Sequence, residues 1–372
     1  MKTRKLGRTA LSLSELSFGA AGIGNLYRSV SREEAMATLQ AAWNAGIRYF
    51  DTAPYYGQGL SERRLGDFLQ TKERSSFVLS TKVGRLLKPA EDGVTPDYGF
   101  VEALPFVVEY DYSYDGIMRS HEQSLARLGL GSVDILYVHD LEETTLGEEA
   151  YRHHFRIFTE SGIEALHELK AKGRIGAFGL GVNEVPACLN LMEIDEIDCI
   201  LLAGRYTLLD RSAAAKLLGR CAETGTSLVI GGVFNSGILA TGARPGATFN
   251  YSEAAADVME RVRAMEAHAA GHGVALAAAA LHFPLQNADV ASVLIGTAKP
   301  DSLLRNLSIF ETAVPDAAWA GFDALALENG PQRQGGGRHG SDRYSPASDL
   351  ARQARLCLDT RGAQPCGKLH PG

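Results

Sequence analysis

The sequence has no apolar run approaching the roughly 20 residues that a membrane span needs, and its basic start, MKTRK, runs into serines and Glu15 rather than an apolar core. Neither a membrane anchor nor a secretory leader is expected. Cysteine is sparse: Cys188, Cys199, Cys221, Cys357 and Cys366 are scattered, odd in number and without a CxxC pair. That spacing speaks against a disulfide framework and against a zinc site, and no other metal-ligand cluster stands out. A reducing cytoplasm is the expected setting. Basic residues are not in excess either, since 37 Lys+Arg stand against 44 Asp+Glu. A nucleic-acid surface is therefore not expected. The composition leaves a small-molecule partner as the expectation and does not reveal the oligomeric state.

What is present is ordinary globular composition, 45% hydrophobic and 22% charged over 372 residues, enough for one large α/β domain or two smaller ones. Short apolar runs bounded by loop residues predict strands at 16–20, 48–51, 77–83, 133–139, 176–181, 199–203, 227–231 and 292–296. Helical periodicity falls between them, at 33–45, 62–69, 115–128, 163–171, 186–192, 212–222 and 253–270, with 300–309 after the last strand and an extra run at 274–283. Eight strand–helix pairs predict an α/β fold of the (β/α)8 barrel type, with an open doubly wound sheet as the alternative. Residues 2–14 read as a small N-terminal hairpin. Two insertions, 87–113 and 141–162, follow the third and fourth strands and should overhang the face that carries the strand C-termini. The barrel domain is placed at 1–329. Segment 330–372, GPQRQGGGRHG onward, has little apolar content and is expected to be a disordered tail.

Three predicted strands end on titratable groups. Asp51 closes the second, Lys82 lies near the end of the third (LSTKV), and His139 closes the fourth (ILYVH), while Tyr56 follows in the loop after Asp51. Each has a plain reading alone: a turn cap, a solvated charge, a core histidine, a packed ring. Consecutive strands of a barrel are neighbours, so the four side chains should converge on one rim. A phenol has a pKa near 10 and is a poor acid or base at neutral pH, and a neighbouring ammonium favours its phenolate. Asp51 can hold that lysine charged in a dry site, and His139 can hydrogen-bond a substrate oxygen. Such a device moves a proton on or off an alcohol or carbonyl oxygen, and the hydride half of the reaction then needs a cofactor such as a nicotinamide.

GIRYFDTAPYYG, LSTKVGR, SLARLGLGSVDILYVHD and VLIGTAKPDSLLRNL together resemble the aldo-keto reductase superfamily. The resemblance implies the (β/α)8 barrel, NAD or NADP bound across its mouth without a Rossmann domain, and Asp51, Tyr56, Lys82 and His139 as the catalytic set. It places cofactor contacts at Gly19, Ala20 and Asp51, along Val233, Phe234, Asn235, Gly237 and Leu239, and along Gly296, Thr297, Lys299, Ser302 and Asn306. Where many members carry a Ser-Asn pair for the carboxamide, this chain has Gly181 and Val182, and Asn183 is the candidate in their stead. Ala203 similarly replaces a common glutamine ahead of Tyr206. NADP-preferring members have a lysine and an arginine where Gly296 and Ser302 stand, so NAD is the favoured cofactor. Narrower details such as TAPYYGQGLSERRLG and GGVFNSGILATG resemble the dehydrogenases of L-fucose, D-threo-aldoses, L-galactose and pyridoxal. That group implies oxidation of an aldose at C1 to the lactone, with pyridoxal oxidation or general aldehyde and ketone reduction as the alternative. A redox-sensing partner subunit without catalysis is the remoter one. The spacing of Gly19, Gly22 and Gly24 in FGAAGIG also suits a dinucleotide fingerprint, but no acidic strand end follows at the distance a Rossmann unit requires.

Overall fold

The structure is a computed structural model that describes residues 1–91 and 95–327. The tail expected to be disordered lies outside the described residues. Eight strands form one closed barrel: β1 (Leu16–Gly19), β2 (Tyr49–Asp51), β3 (Val78–Val83), β4 (Ile135–His139), β5 (Ala177–Val182), β6 (Cys199–Ala203), β7 (Ser227–Gly231) and β8 (Val290–Gly296). Each pairs in parallel with the next, and β8 returns to β1 with Gly296 opposite Gly19. The strands are those read from the apolar runs, with bounds moved by a residue or two, and the sheet closes rather than opening into a doubly wound array.

Alternation within each strand sorts two cores. Tyr49, Ile135, Tyr137, Ala177, Cys199, Leu201, Val229 and Ala291 fill the barrel, while Phe18, Phe50, Leu79, Leu136 and Phe178 face the helices. The N-terminal hairpin pairs Thr3–Lys5 with Ser12–Ser14, and its Leu6 and Leu13 plug the barrel at the strands' N-terminal end. A hydroxyl ladder runs up the interior, with Tyr49 Oη 3.1 Å from Tyr137 Oη and 3.0 Å from Ser80 Oγ. Chemistry is thus confined to the opposite end.

The surrounding helices are α1 (Arg32–Asn44), α2 (Leu60–Leu69), α3 (Tyr114–Leu128), α4 (Ile163–Ala171), α5 (Val185–Met192), α6 (Leu217–Thr224), α7 (Ala256–Gly271) and α8 (Pro300–Phe310). Their ends follow local chemistry. Ser31 and Ser113 accept the Glu34 and Gly116 amides at the starts of α1 and α3, satisfying donors that a helix N-terminus leaves free. Pro300 opens α8 at a position where its missing N–H costs nothing. α6 starts five residues later than the pattern predicts, because 212–216 fold as turns around Asp210.

Both insertions are more ordered than their composition suggests. A hairpin, Arg85–Pro89 with Phe106–Tyr110, starts two residues before the first and takes up both its ends. The second forms the helix Glu148–Ile157, which passes through a π turn (Phe158–Gly162) into α4. That helix escaped notice because Tyr151 is its one buried side chain, too sparse a stripe to read. Among the described residues no helix is long and apolar enough to cross a membrane.

Candidate active site

The pleat of β2, β3 and β4 turns Asp51, Lys82 and His139 inward at the C-terminal rim. Lys82 Nζ donates to Asp51 Oδ2 at 2.6 Å and to the Thr52 carbonyl at 2.9 Å, and Ser80 Oγ donates to Asp51 Oδ1 at 2.7 Å. The pair is sealed, with side chains 2% and 1% exposed. Burial pushes the Asp51 carboxyl up, while Lys82 and Ser80 pull it down. Burial likewise disfavours the Lys82 ammonium, but the Asp51 charge more than offsets this and holds it above its ordinary range. A buried charge stands only when so matched. Gly181 on β5 makes the room: a Cβ there would lie 3.5 Å from Lys82 Cε and 3.2 Å from Tyr137 Cβ.

Tyr56 folds back over this pair, its ring centre 4.7 Å from Lys82 Nζ and 5.9 Å from the His139 ring. Burial raises its phenol pKa, opposed by Lys82 and reinforced by Asp51 and Asp140. Main-chain packing sets its position. A Cβ on Gly24 would come within 3.0 Å of the Tyr56 carbonyl, and one on Gly57 (φ +64°) within 2.3 Å of the Gly24 oxygen. Gly22 packs in the same way on Thr297 and Ala298. Gly22 and Gly24 of FGAAGIG therefore bring backbones together on both sides of the β1 loop. His139 is buried, and its pKa is driven well below the usual value, first by burial and then by Arg85 and Lys82. It is a neutral imidazole whose Nδ1 has no hydrogen-bond partner.

The four predicted groups thus meet. Of the layer around them, sequence reading had named Asn183 and missed Arg85, Asp140 and Glu142. Arg85, 3% exposed, pairs with Asp140 at 2.7 Å and lies 4.6 Å over the Tyr55 ring. Asn183 donates Nδ2 to Asp140 Oδ1 (3.2 Å) and to Glu142 Oε1 (2.9 Å). Burial, then Asp140, pushes the enclosed Glu142 carboxyl up to about 7. Both signals were adjacent in sequence, Arg85 three residues after Lys82 and Asp140 next to His139, but a charged residue beginning a loop reads as solvated. Aromatic rings close the mouth: Phe100 sits 5.5 Å from Tyr55 and 6.2 Å from Tyr56.

The opposite half of the rim is nearly bare of side chains. Gly204, Gly231, Gly232, Gly296 and Gly19 stand at the ends of β6, β7, β8 and β1. A Cβ on Gly296 would find only the Gly19 oxygen, 3.7 Å away, and one on Gly237 nothing within 4 Å. An extended flat ligand can lie on such backbone beside the titratable half. Of the residues expected there, Ala20 is tied by its amide to the Asp51 carbonyl at 2.8 Å. Val233 and Leu239 are buried, so their side chains serve the core. Asn235 accepts from Thr207 Oγ1 at 2.5 Å and donates to the Gly204 carbonyl at 3.2 Å, stitching the β7 loop to the β6 loop. Phe234 and Gly237 belong to the same turn. Thr297 Oγ1 accepts the Lys299 amide at 3.2 Å where α8 begins, with Ser302 and Asn306 half-buried on that helix. Asn183 shares its Nδ2 between two carboxylates, so what it can offer a ligand is its amide oxygen.

A model of the aldo/keto reductase family matches residues 15–327. Pyridoxal 4-dehydrogenase of Microbacterium luteolum is 43% identical over 325 residues, spanning 85% of this chain and 95% of that protein. D-threo-aldose 1-dehydrogenase of a Pseudomonas species is 41% identical over 315 residues, spanning 83% and 93%. Among solved structures, a holo aldo-keto reductase of Bacillus halodurans superposes with a TM-score of 0.69 at 24% identity, over 90% of this chain and 99% of that one, a likeness of fold.

Proposed function

Because the chain belongs to the aldo/keto reductase family, and so to its nicotinamide-using oxidoreductases, we propose that it oxidises an aldose of the L-fucose, D-threo-aldose or L-galactose type at C1 to the lactone. The observation that carries this is the Tyr56 phenol set between a sealed Lys82–Asp51 pair and a neutral His139. In the oxidising direction the anomeric O–H gives its proton to Tyr56 as the C1 hydrogen leaves as hydride. The substrate loses one proton and one hydride, and the C1–O bond becomes a carbonyl. A bound nicotinamide supplies the hydride acceptor. Lys82 stabilises the phenolate form needed to take the proton, and the neutral His139 can donate one N–H to the same oxygen without adding charge. The aromatic lid excludes water around the transfer.

Gly19, Ala20, Asp51, Asn183, the 233–239 turn and the 296–306 stretch are the residues proposed to hold the cofactor. NAD is favoured because Lys299 is exposed and its charge is felt by Glu34 nearby. One solvated lysine against a phosphate contributes on the order of 1 kcal/mol or less. Pyridoxal is the second reading, favoured by the identity to its 4-dehydrogenase and by the aromatic mouth. The test is absorbance at 340 nm with NAD+ and NADP+ against L-fucose, L-galactose, D-arabinose and pyridoxal. Turnover of pyridoxal with no sugar oxidised overturns the aldose reading. A preference for NADP+ above about tenfold in kcat/KM, about 1.4 kcal/mol, overturns the cofactor reading.

A further inference from the structure

Asp140 is placed in a manner that the reaction above does not require. It follows His139 directly, and its backbone takes the left-handed conformation, φ +46°. Aspartate is among the few non-glycine residues that visit this region, and it stays there where surrounding structure holds it. Two contacts do so: its amide donates to the Gly181 carbonyl at 2.8 Å, and Arg85 grips Oδ2 at 2.7 Å. The ion pair is lopsided, since the Arg85 side chain is 3% exposed and the Asp140 side chain 17%. The carboxylate is therefore the open end of a buried pair, at the mouth and beside His139.

The donors around it leave acceptor capacity unused. A carboxylate offers about four lone-pair directions, and Arg85 and Asn183 occupy one on each oxygen. His139 Nε2 stands 3.5 Å from Oδ2, beyond the ordinary reach of an N–H···O bond, so the histidine does not consume the charge. The open side of the carboxylate thus lies next to the imidazole, 3.5 Å from its Nε2, whose ring together with that of Tyr56 would flank a substrate oxygen.

We propose that Asp140 is a specificity residue that accepts a hydrogen bond from a hydroxyl on the carbon adjacent to the reacting one, with Arg85 as its positioning counter-ion. The substrate class is then the 2-hydroxy aldehyde and its cyclic hemiacetal, rather than any aldehyde of suitable size. This rests on the aldose reading above. A hydrogen bond to a charged acceptor discriminates strongly against a ligand that lacks the donor, because the lone pairs that Arg85 and Asn183 leave free then have no donor in a site closed to water.

The experiment compares kcat/KM for an accepted aldose and its 2-deoxy counterpart in the wild type, Asp140→Asn and Asp140→Ala. The expected wild-type preference for the 2-hydroxy sugar is at least about tenfold, falling to within about twofold in Asp140→Ala and to an intermediate ratio in Asp140→Asn, whose amide oxygen still accepts but without the charge. A merely structural role lowers both substrates in parallel and leaves the ratio unchanged, and that result overturns the proposal. If neither variant folds, the wild-type ratio still decides: equal use of the two sugars also overturns it. Inactivity on every aldose, seen before any variant is made, removes the underlying reading and this proposal with it.

Discussion

Replacing Lys82 by Met keeps the length of the side chain and deletes its charge, leaving Asp51 buried with Ser80 as a donor. Breaking a buried pair from one side costs about 3–5 kcal/mol, because the remaining charge is uncompensated. Set against a total stability of about 5–15 kcal/mol, that is a large fraction. Asp51 can escape by taking a proton. Its carboxyl, already raised by burial with Lys82 present, rises further once the ammonium is gone. A carboxyl raised in the fold contributes stability that is present below its unfolded value and lost as pH rises through the folded one. The variant's deficit should therefore be largest at neutral pH and shrink towards about pH 4. Adding Asp51→Asn removes the stranded charge and should restore most of the stability while leaving the enzyme inactive. Guanidinium unfolding of wild type, single and double variants at several pH values measures all of this. A Lys82→Met cost below about 1 kcal/mol at neutral pH, or a deficit that does not change with pH, refutes the coupled-pair argument.

Tyr56→Phe should preserve fold and cofactor affinity while lowering the hydride-transfer rate by about 10²–10⁴; retention of more than about a third of turnover in stopped-flow assays removes the phenol from proton transfer. The imidazole of His139 is held neutral, well below its usual pKa, so the unfolded chain binds a proton there that the folded one refuses. Stability should fall as pH drops below about 6.5, and His139→Gln should lose less of it between pH 7.5 and 5.5 in the same unfolding assay. A chain ending at Gly330 should keep its melting temperature and activity. One ending at Leu325 should melt lower, since Leu327 is hydrogen-bonded to Leu209 and Arg211 and Ala326 is buried; loss of half the activity in the longer chain would assign the tail a role at the site.

The barrel and its inward-facing groups were legible because the strand signal and the site coincide. Asp51 and His139 each end a short apolar run, and Lys82 stands next to the end of one, so periodicity and chemistry pointed to the same rim. The hairpin Arg85–Pro89 with Phe106–Tyr110 was not legible. Its strands are at best half-buried at most positions, and composition there reads as loop. Arg85 and Asp140 were hidden for a different reason. Their burial comes from each other and from Tyr55 and Tyr110, contacts made across separate loops, and single-sequence reading sees charge without seeing its partner. The converse holds for FGAAGIG, where a ligand-like spacing turned out to be fitted to neighbouring backbone.

That backbone stack divides the molecule by how far it can be altered. Gly22, Gly24 and Gly57 leave no side chain through which the seat of Tyr56 could be adjusted, and the same β1 loop braces the segment that begins α8. A methyl group added at Gly24 should therefore degrade turnover and cofactor binding together, whichever substrate is offered. Retargeting the enzyme to a new substrate belongs to Tyr98, Phe100 and the 106–110 strand, which border the aromatic mouth without holding Lys82, Asp51 or the proposed cofactor turn. A library confined to those positions samples specificity at fixed chemistry, and one spread over the β1 loop samples mostly broken enzymes.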